Sequence, residues 1–167
     1  MKSFIYLIVT VFIFFGCSKK AGQDYLKSAE ENLKNNKVQE AVSDLENFVK
    51  ENPEDEKSPE ALTKLASIYQ NKMLKTLSDT ESLQKAVNIY RKVYDDYPNS
   101  IQAPTSLFMS SFILANELQK YDLAKASYNL FLQKYPNHEL ANSAREELNN
   151  LGLSPEEILK RKNTSNI

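Results

Sequence analysis

Glycine and histidine are scarce in this chain, tryptophan is missing and cysteine occurs once. Each shortage removes a class of chemistry. The three glycines lie at positions 16, 22 and 152, too scattered for a phosphate-binding loop or a dinucleotide fingerprint. The same scarcity argues against a sheet protein built on glycine turns. With His138 as the sole histidine and no C-x-x-C, a metal site of two or more histidines is impossible and no thiol pair replaces it. No G-x-S-x-G nucleophile elbow occurs. His138 follows a Tyr-Pro-Asn turn, where a solvent-exposed turn residue is expected rather than a catalytic base. Acid pairs such as Asp95-Asp96 and Glu146-Glu147 are adjacent in sequence, so on a helix they diverge instead of sharing a reacting atom. The expectation is a non-enzyme with no catalytic residues, no cofactor and no metal.

A charge excess is missing too. The chain has 21 basic and 22 acidic side chains, and removing Met1–Gly16 takes Lys2 and moves the net charge from −1 to −2. A nucleic-acid protein needs a basic excess or a basic face. Lys160-Arg161-Lys162 is the only basic cluster, and near a helix C-terminus it complements the helix dipole. Neither nucleic acid nor a small-molecule substrate is expected as a partner.

What the chain does contain is one punctuated helix written three times. Lys120 to Pro136 reads K-Y-D-L-A-K-A-S-Y-N-L-F-L-Q-K-Y-P, with Ala124, Tyr128, Phe131 and Leu132 spaced as the buried stripe of an amphipathic helix. Val38 to Pro53 and Leu83 to Pro98 align with it without gaps. A small residue comes first (Ala41, Ala86, Ala124), then Leu45, Tyr90 and Tyr128 four later, then Phe48, Val93 and Phe131. Pro53, Pro98 and Pro136 each fall twelve residues after their alanine. The small residue admits a neighbouring helix closely, the larger ones fill the space beyond, and proline ends the helix. This is a helical repeat protein.

The pattern A-x3-[YL]-x2-[FV]-x4-P resembles the second helix of a tetratricopeptide repeat (TPR). Matching first helices lie upstream, with Leu62, Leu65, Ala66 and Tyr69 before the second copy and Leu107, Ser111 and Leu114 before the third. Tyr25 and Ala29 precede the first. The resemblance implies an all-α, right-handed TPR-like solenoid of antiparallel helix pairs, over residues 24–151, with a C-terminal capping helix. The alanines are 45 and then 38 residues apart, against about 34 in a regular array. Extra residues around Lys72 to Thr80 lengthen the middle repeat, and the third has a turn about one residue longer. Non-uniform repeats of this kind are similar to those of the TPR lipoproteins of the bacterial envelope, the BamD / CpoB (YbgF) group.

The N-terminus carries a second signal. Phe4 to Phe15 is a run of twelve residues in which Thr10 alone is polar. As a helix it reaches roughly 18 Å, short of the ~30 Å hydrocarbon core, so it fits a secretory signal better than a transmembrane span. Gly16 and the lone Cys17 follow directly, and F-F-G-C resembles a bacterial lipobox, with Phe14 where leucine is usual. The resemblance implies residues 1–16 as signal peptide, Cys17 as the lipidated first mature residue, and 17–23 as a tether. An incidental Cys at an ordinary cleavage site is the alternative. Ser18 after the cysteine implies sorting to an outer membrane, facing the periplasm.

Local signals place the remaining boundaries. Asp24 to about Asn35 is the first helix, turning at Asn35-Asn36. Ser58 is expected to cap the third helix with Pro59 at its first position. Ser78 and Glu81 form a capping box. Asn99 and Ser100 are expected to start the next helix, and Asn137 or His138 the capping helix with Leu140, Ala141, Ala144, Leu148 and Leu151. Gly152 is a left-handed C-cap. Residues 152–167 hold Ser154-Pro155-Glu156-Glu157, which opens a short helix anchored by Ile158 and Leu159, and a tail fraying from Asn163 to Ile167.

Function then rests on a surface. If Leu107, Ser111 and Leu114 face the partner helix, Thr105, Phe108, Phe112 and Asn116 face the groove, with Thr63, Ser67 and Gln70 one repeat earlier. Such a groove suits a protein or peptide partner. Both phenylalanines could instead be covered by the long middle repeat or the C-terminal helix. The family resemblance implies a lipid-anchored scaffold or adaptor that touches the membrane through its lipid, in outer-membrane protein assembly. A CpoB-like periplasmic adaptor and a secretin pilotin are the alternatives, and an envelope enzyme is the reading from a different class.

Overall fold

Pro53, Pro98 and Pro136 stop three helices with one backbone geometry. The preceding residues Asn52, Tyr97 and Tyr135 have φ/ψ of −132°/55°, −127°/54° and −130°/55°, because the proline ring excludes the α region there. Each still donates its N–H to the carbonyl four residues back, at Phe48, Val93 and Phe131.

The computed structural model describes residues 22–164. These form α1 (Gly22–Lys34), α2 (Val38–Glu51), α3 (Ser58–Gln70), α4 (Asp79–Asp96), α5 (Ala103–Phe112), a π-helical turn (Ile113–Glu117), α6 (Tyr121–Lys134), α7 (Ala141–Asn150) and α8 (Pro155–Thr164), with no strand among the described residues. From α1 to α7 each helix packs on the next in the chain, and the whole is an all-α, TPR-like solenoid.

The repeat alanines Ala41, Ala86 and Ala124 are each 0% exposed, as their role at close helix approaches requires. Leu45, Phe48, Tyr90, Tyr128 and Phe131 share one continuous core with Ala86 and Ala124, and Val93 is fully buried as well. Burying a side chain of this size stabilises by about 1.5–3 kcal/mol relative to leaving it in water.

The turns inside the pairs also repeat. Asn36, Lys72 and Gln119 have φ of +57°, +54° and +52°, a left-handed end to each first helix. After the first and second of these, the next N–H closes on the carbonyl five residues back, Lys37 to Asn32 at 2.7 Å and Met73 to Ile68 at 3.2 Å. In the third repeat Lys120 reaches Leu114, six back, at 2.7 Å. The π turn, with Leu118 donating to Ile113 at 2.9 Å, absorbs that one additional residue. In the middle repeat the extra residues follow Lys72. Leu74 is buried there, and the Ser78–Glu81 capping box then starts α4.

Several boundaries differ from expectation for local reasons. Ser58 does not cap α3; Lys57 occupies that position without a side-chain bond, and the Ser58 hydroxyl donates to the Asn52 carbonyl at 2.6 Å. That bond ties the first turn of α3 to the end of α2. α1 begins at Gly22, so Gly22 and Gln23 belong to the helix and not to a tether. α5 begins at Ala103, because residues 99–102 form turns closed by Ser100 to Tyr97 and Ala103 to Ser100. α7 begins at Ala141 after a turn in which His138 Nδ1 accepts the Leu140 N–H at 3.2 Å. Gly152 is left-handed at φ +77°. α8 opens with the Ser154–Glu157 capping box and runs through Asn163 to Thr164. The expected signal peptide at residues 1–16, Cys17 and residues 165–167 lie outside the described residues.

Candidate functional site

The first helices of the pairs are tied to one another by polar side chains, which sets them side by side as one wall. Lys64 Nζ of α3 lies 3.2 Å from Glu30 Oε1 of α1. Lys72, just past α3, lies 3.6 Å from Glu117 Oε2 of the π turn. Asn116 Nδ2 donates to Glu147 Oε2 of α7 at 3.0 Å. The second helices α2, α4 and α6 stand behind. In stacked helix pairs, the first helices line the concave face.

On α3, Thr63, Ser67 and Gln70 are half-buried along one face. Thr63 Oγ1 donates to the Pro59 carbonyl at 2.7 Å, Ser67 Oγ accepts from Asn71 at 3.2 Å, and Gln70 Oε1 accepts the Tyr90 hydroxyl at 3.1 Å. Each is therefore engaged within its own helix or pair. Burial holds the Tyr90 phenol above its usual pKa.

On α5 and the π turn, Thr105 and Asn116 are exposed and Phe112 is half-buried. Phe108 is not a groove residue of the open kind: it is 8% exposed. Its ring lies edge-on to Tyr128 and Phe131 of α6, both at 5.8 Å between centroids, and stacks on Phe112 at 6.5 Å. The rings of α6, with Phe112, cover it. Two phenylalanines one turn apart thus do different things, one filling the core and one reaching its edge.

Two features of this wall were not anticipated from the sequence. Lys64 lies between Glu30 and Glu60, at 3.2 and 3.0 Å. Burial alone would lower its amine, but the hydrogen bonds to Glu60 and Glu30 outweigh this and hold it above its ordinary value. The i,i+4 spacing of Glu60 and Lys64 was legible; the contact across 34 residues was not. At the other end, a polar hollow of about 270 Å³ opens among Asn116, Gln119, Tyr121, Glu147, Gly152 and Ile158. A Cβ on Gly152 would meet the Tyr121 ring at 3.7 Å. α8 enters the hollow through Ile158, while Leu159 remains 62% exposed.

The paired helices, their shared proline stops and the wall of first helices coincide with a comparison to known families, in which the tetratricopeptide repeat pattern matches residues 60–100 and 105–138. Tetratricopeptide repeats are present. The two TPR matches span α3–α4 and α5–α6, and α1–α2 stacks on them as a further pair outside the matched residues. No curated protein matches the chain. TPR arrays act as protein-interaction scaffolds, and the chemistry of this one suits that role. Among the described residues, no group of three or more His, Cys, Asp and Glu could hold a metal, and no helix is long and apolar enough to cross a membrane.

Proposed function

We propose that this chain is a lipid-anchored TPR scaffold of the bacterial envelope, held to the outer membrane through Cys17 and offering its concave wall to a protein partner in the periplasm. The observation that carries the binding role is the wall itself. It combines exposed or half-buried polar groups at Thr63, Ser67, Gln70, Thr105 and Asn116 with the apolar edge of Phe112 and the Glu30–Lys64–Glu60 charges. Such a surface suits an extended peptide or a partner helix, with hydrogen bonds supplying register and the Phe112 edge taking an apolar side chain. The anchoring role rests on the twelve-residue apolar run ending at Gly16-Cys17. A part in outer-membrane protein assembly rests on the likeness to envelope TPR lipoproteins.

Photo-crosslinking residues placed at Thr105 and at Asn116 should trap one common partner in intact membranes, and the same residue at Ser43 on α2 should not. Equal capture from Ser43 would reject the concave wall as the binding face. Labelled palmitate should enter wild type but not Cys17→Ala; equal labelling would remove the anchor.

A further inference from the structure

The outward faces of α2, α4 and α6 differ where their inward faces agree. One residue before the repeat alanine, and two and six after it, α2 carries Glu40, Ser43 and Asn47, and α4 carries Lys85, Asn88 and Lys92. At those same positions α6 carries Leu123, Ala126 and Leu130. Leu123 is 57% exposed although the inward stripe of its own helix is fully buried. Helix stability does not call for leucine there, since two sister helices do without it. The leucines line a groove of about 470 Å³ between α4 and α6, together with Val87, Leu114 and Arg91.

We propose that this face is a two-fold interface with a second copy of this chain, α6 of each copy lying antiparallel in the α4/α6 groove of the other. Spacings of three and four make Leu123, Ala126 and Leu130 a seam of the kind that pairs helices. Ala126, small and exposed, sits at the centre, where two backbones crossing on a two-fold axis come closest. An isologous contact needs a patch that is its own complement, and the charges here meet that condition. Asp122 precedes Leu123 in α6, and Arg91 lines the groove together with Leu130. Antiparallel pairing about Ala126 brings Asp122 of each copy to Arg91 of the other, forming the pair twice. Arg91 now engages Asp95 through Nε at 3.0 Å; a guanidinium has five donors in a fork and can hold a second carboxylate.

The full chain carrying Cys17→Ser, in detergent, should show a concentration-dependent dimer by sedimentation. Leu123→Glu should weaken self-association at least about tenfold with the melting temperature unchanged. Arg91→Asp or Asp122→Arg alone should weaken it, and the two together should restore it. Ala126→Cys, then the only thiol, should oxidise to a covalent dimer, whereas Ser43→Cys at the equivalent place on α2 should not. This thiol test stands even if Leu123→Glu proves to perturb the fold. A monomer at every concentration, a dimer indifferent to Leu123→Glu, equal crosslinking from Ser43→Cys, or a monomer whose groove takes the helix of a different protein would each overturn the proposal.

Discussion

The second and third helix pairs solve one packing problem in two ways. Four residues after the repeat alanine, α4 places Tyr90 and α6 places Tyr128, at 4% and 0% exposure. Sixteen residues before that alanine stand Gln70 in one pair and Phe108 in the other. Tyr90 gives its hydroxyl proton to the Gln70 amide oxygen at 3.1 Å. Tyr128 instead meets the Phe108 ring edge-on at 5.8 Å, and its hydroxyl is buried without a hydrogen-bond partner. Repeat spacing therefore dictates that a large side chain is buried at this position, leucine in α2 and tyrosine in α4 and α6, while the neighbouring first helix decides whether polar or aromatic contact holds the ring. The polar version keeps Gln70 half-buried on the concave wall. The aromatic version draws Phe108 off that wall into the core.

This contrast can be broken in graded steps. Phe108→Ala should be the most damaging change, at about 3–5 kcal/mol of unfolding free energy, because it empties the space between Tyr128, Phe131 and Phe112. Phe112→Ser, at the edge of that cluster, should cost clearly less and fall mainly on partner capture; chemical denaturation beside crosslinking yield separates the two. Next, Ala124→Leu and Ala86→Leu should each cost about 1–3 kcal/mol by overpacking an approach with no free space. Equal unfolding midpoints for wild type and variants would show that the alanines are not the close contacts. Tyr90→Phe should cost about 1 kcal/mol, since it leaves Gln70 without its donor. Tyr128→Phe should be neutral or slightly stabilising, because it removes a hydroxyl that has no partner.

The smallest effect is a pH dependence. Burial raises the phenols of Tyr69, Tyr90 and Tyr128 above their ordinary value of 10.0, helped at Tyr69 by Glu46 and at Tyr128 by Glu147. A group whose folded pKa is raised contributes stability that is complete below its unfolded pKa and is lost as pH rises through the folded one. Unfolding midpoints should thus be flat below about pH 10 and fall above it, and Tyr128→Phe should make the fall shallower.

Much of this fold was legible because its repeated features act through the backbone. Pro53, Pro98 and Pro136 impose one C-terminal geometry whatever lies near, and the Ser78–Glu81 and Ser154–Glu157 boxes are local pairs three residues apart. Misjudged features depend on groups distant in sequence. Ser58 was read as a cap, but its hydroxyl finds the Asn52 carbonyl on the preceding helix end. Phe108 was placed on the groove by helical spacing, but three rings from its own and the following helix claim it. The longer third turn was visible as one surplus residue; its form as a π turn was not, because that depends on which carbonyl Lys120 can reach. Of the wall, the seven residues named from spacing do lie on α3, α5 and the π turn. The links Glu30–Lys64 and Asn116–Glu147 that align the helices join residues 34 and 31 apart, beyond any local rule.

Those links also determine how the stack responds to force. The dry core runs through all the pairs, and its deformation opens voids, which makes the stack stiff. Along the inner rim, the pairs are joined by exposed charges and an amide, such as Lys64–Glu30 and Lys72–Glu117, each contributing a fraction of a kcal/mol and softened further by salt. Mechanically the array is a continuous stiff core with weak, exchangeable links along one edge. Bending that widens or narrows the rim stretches those links and also strains the shared core. A partner laid along α1, α3 and α5 can exchange its own charges for those of the rim and leave the core that sets the curvature intact.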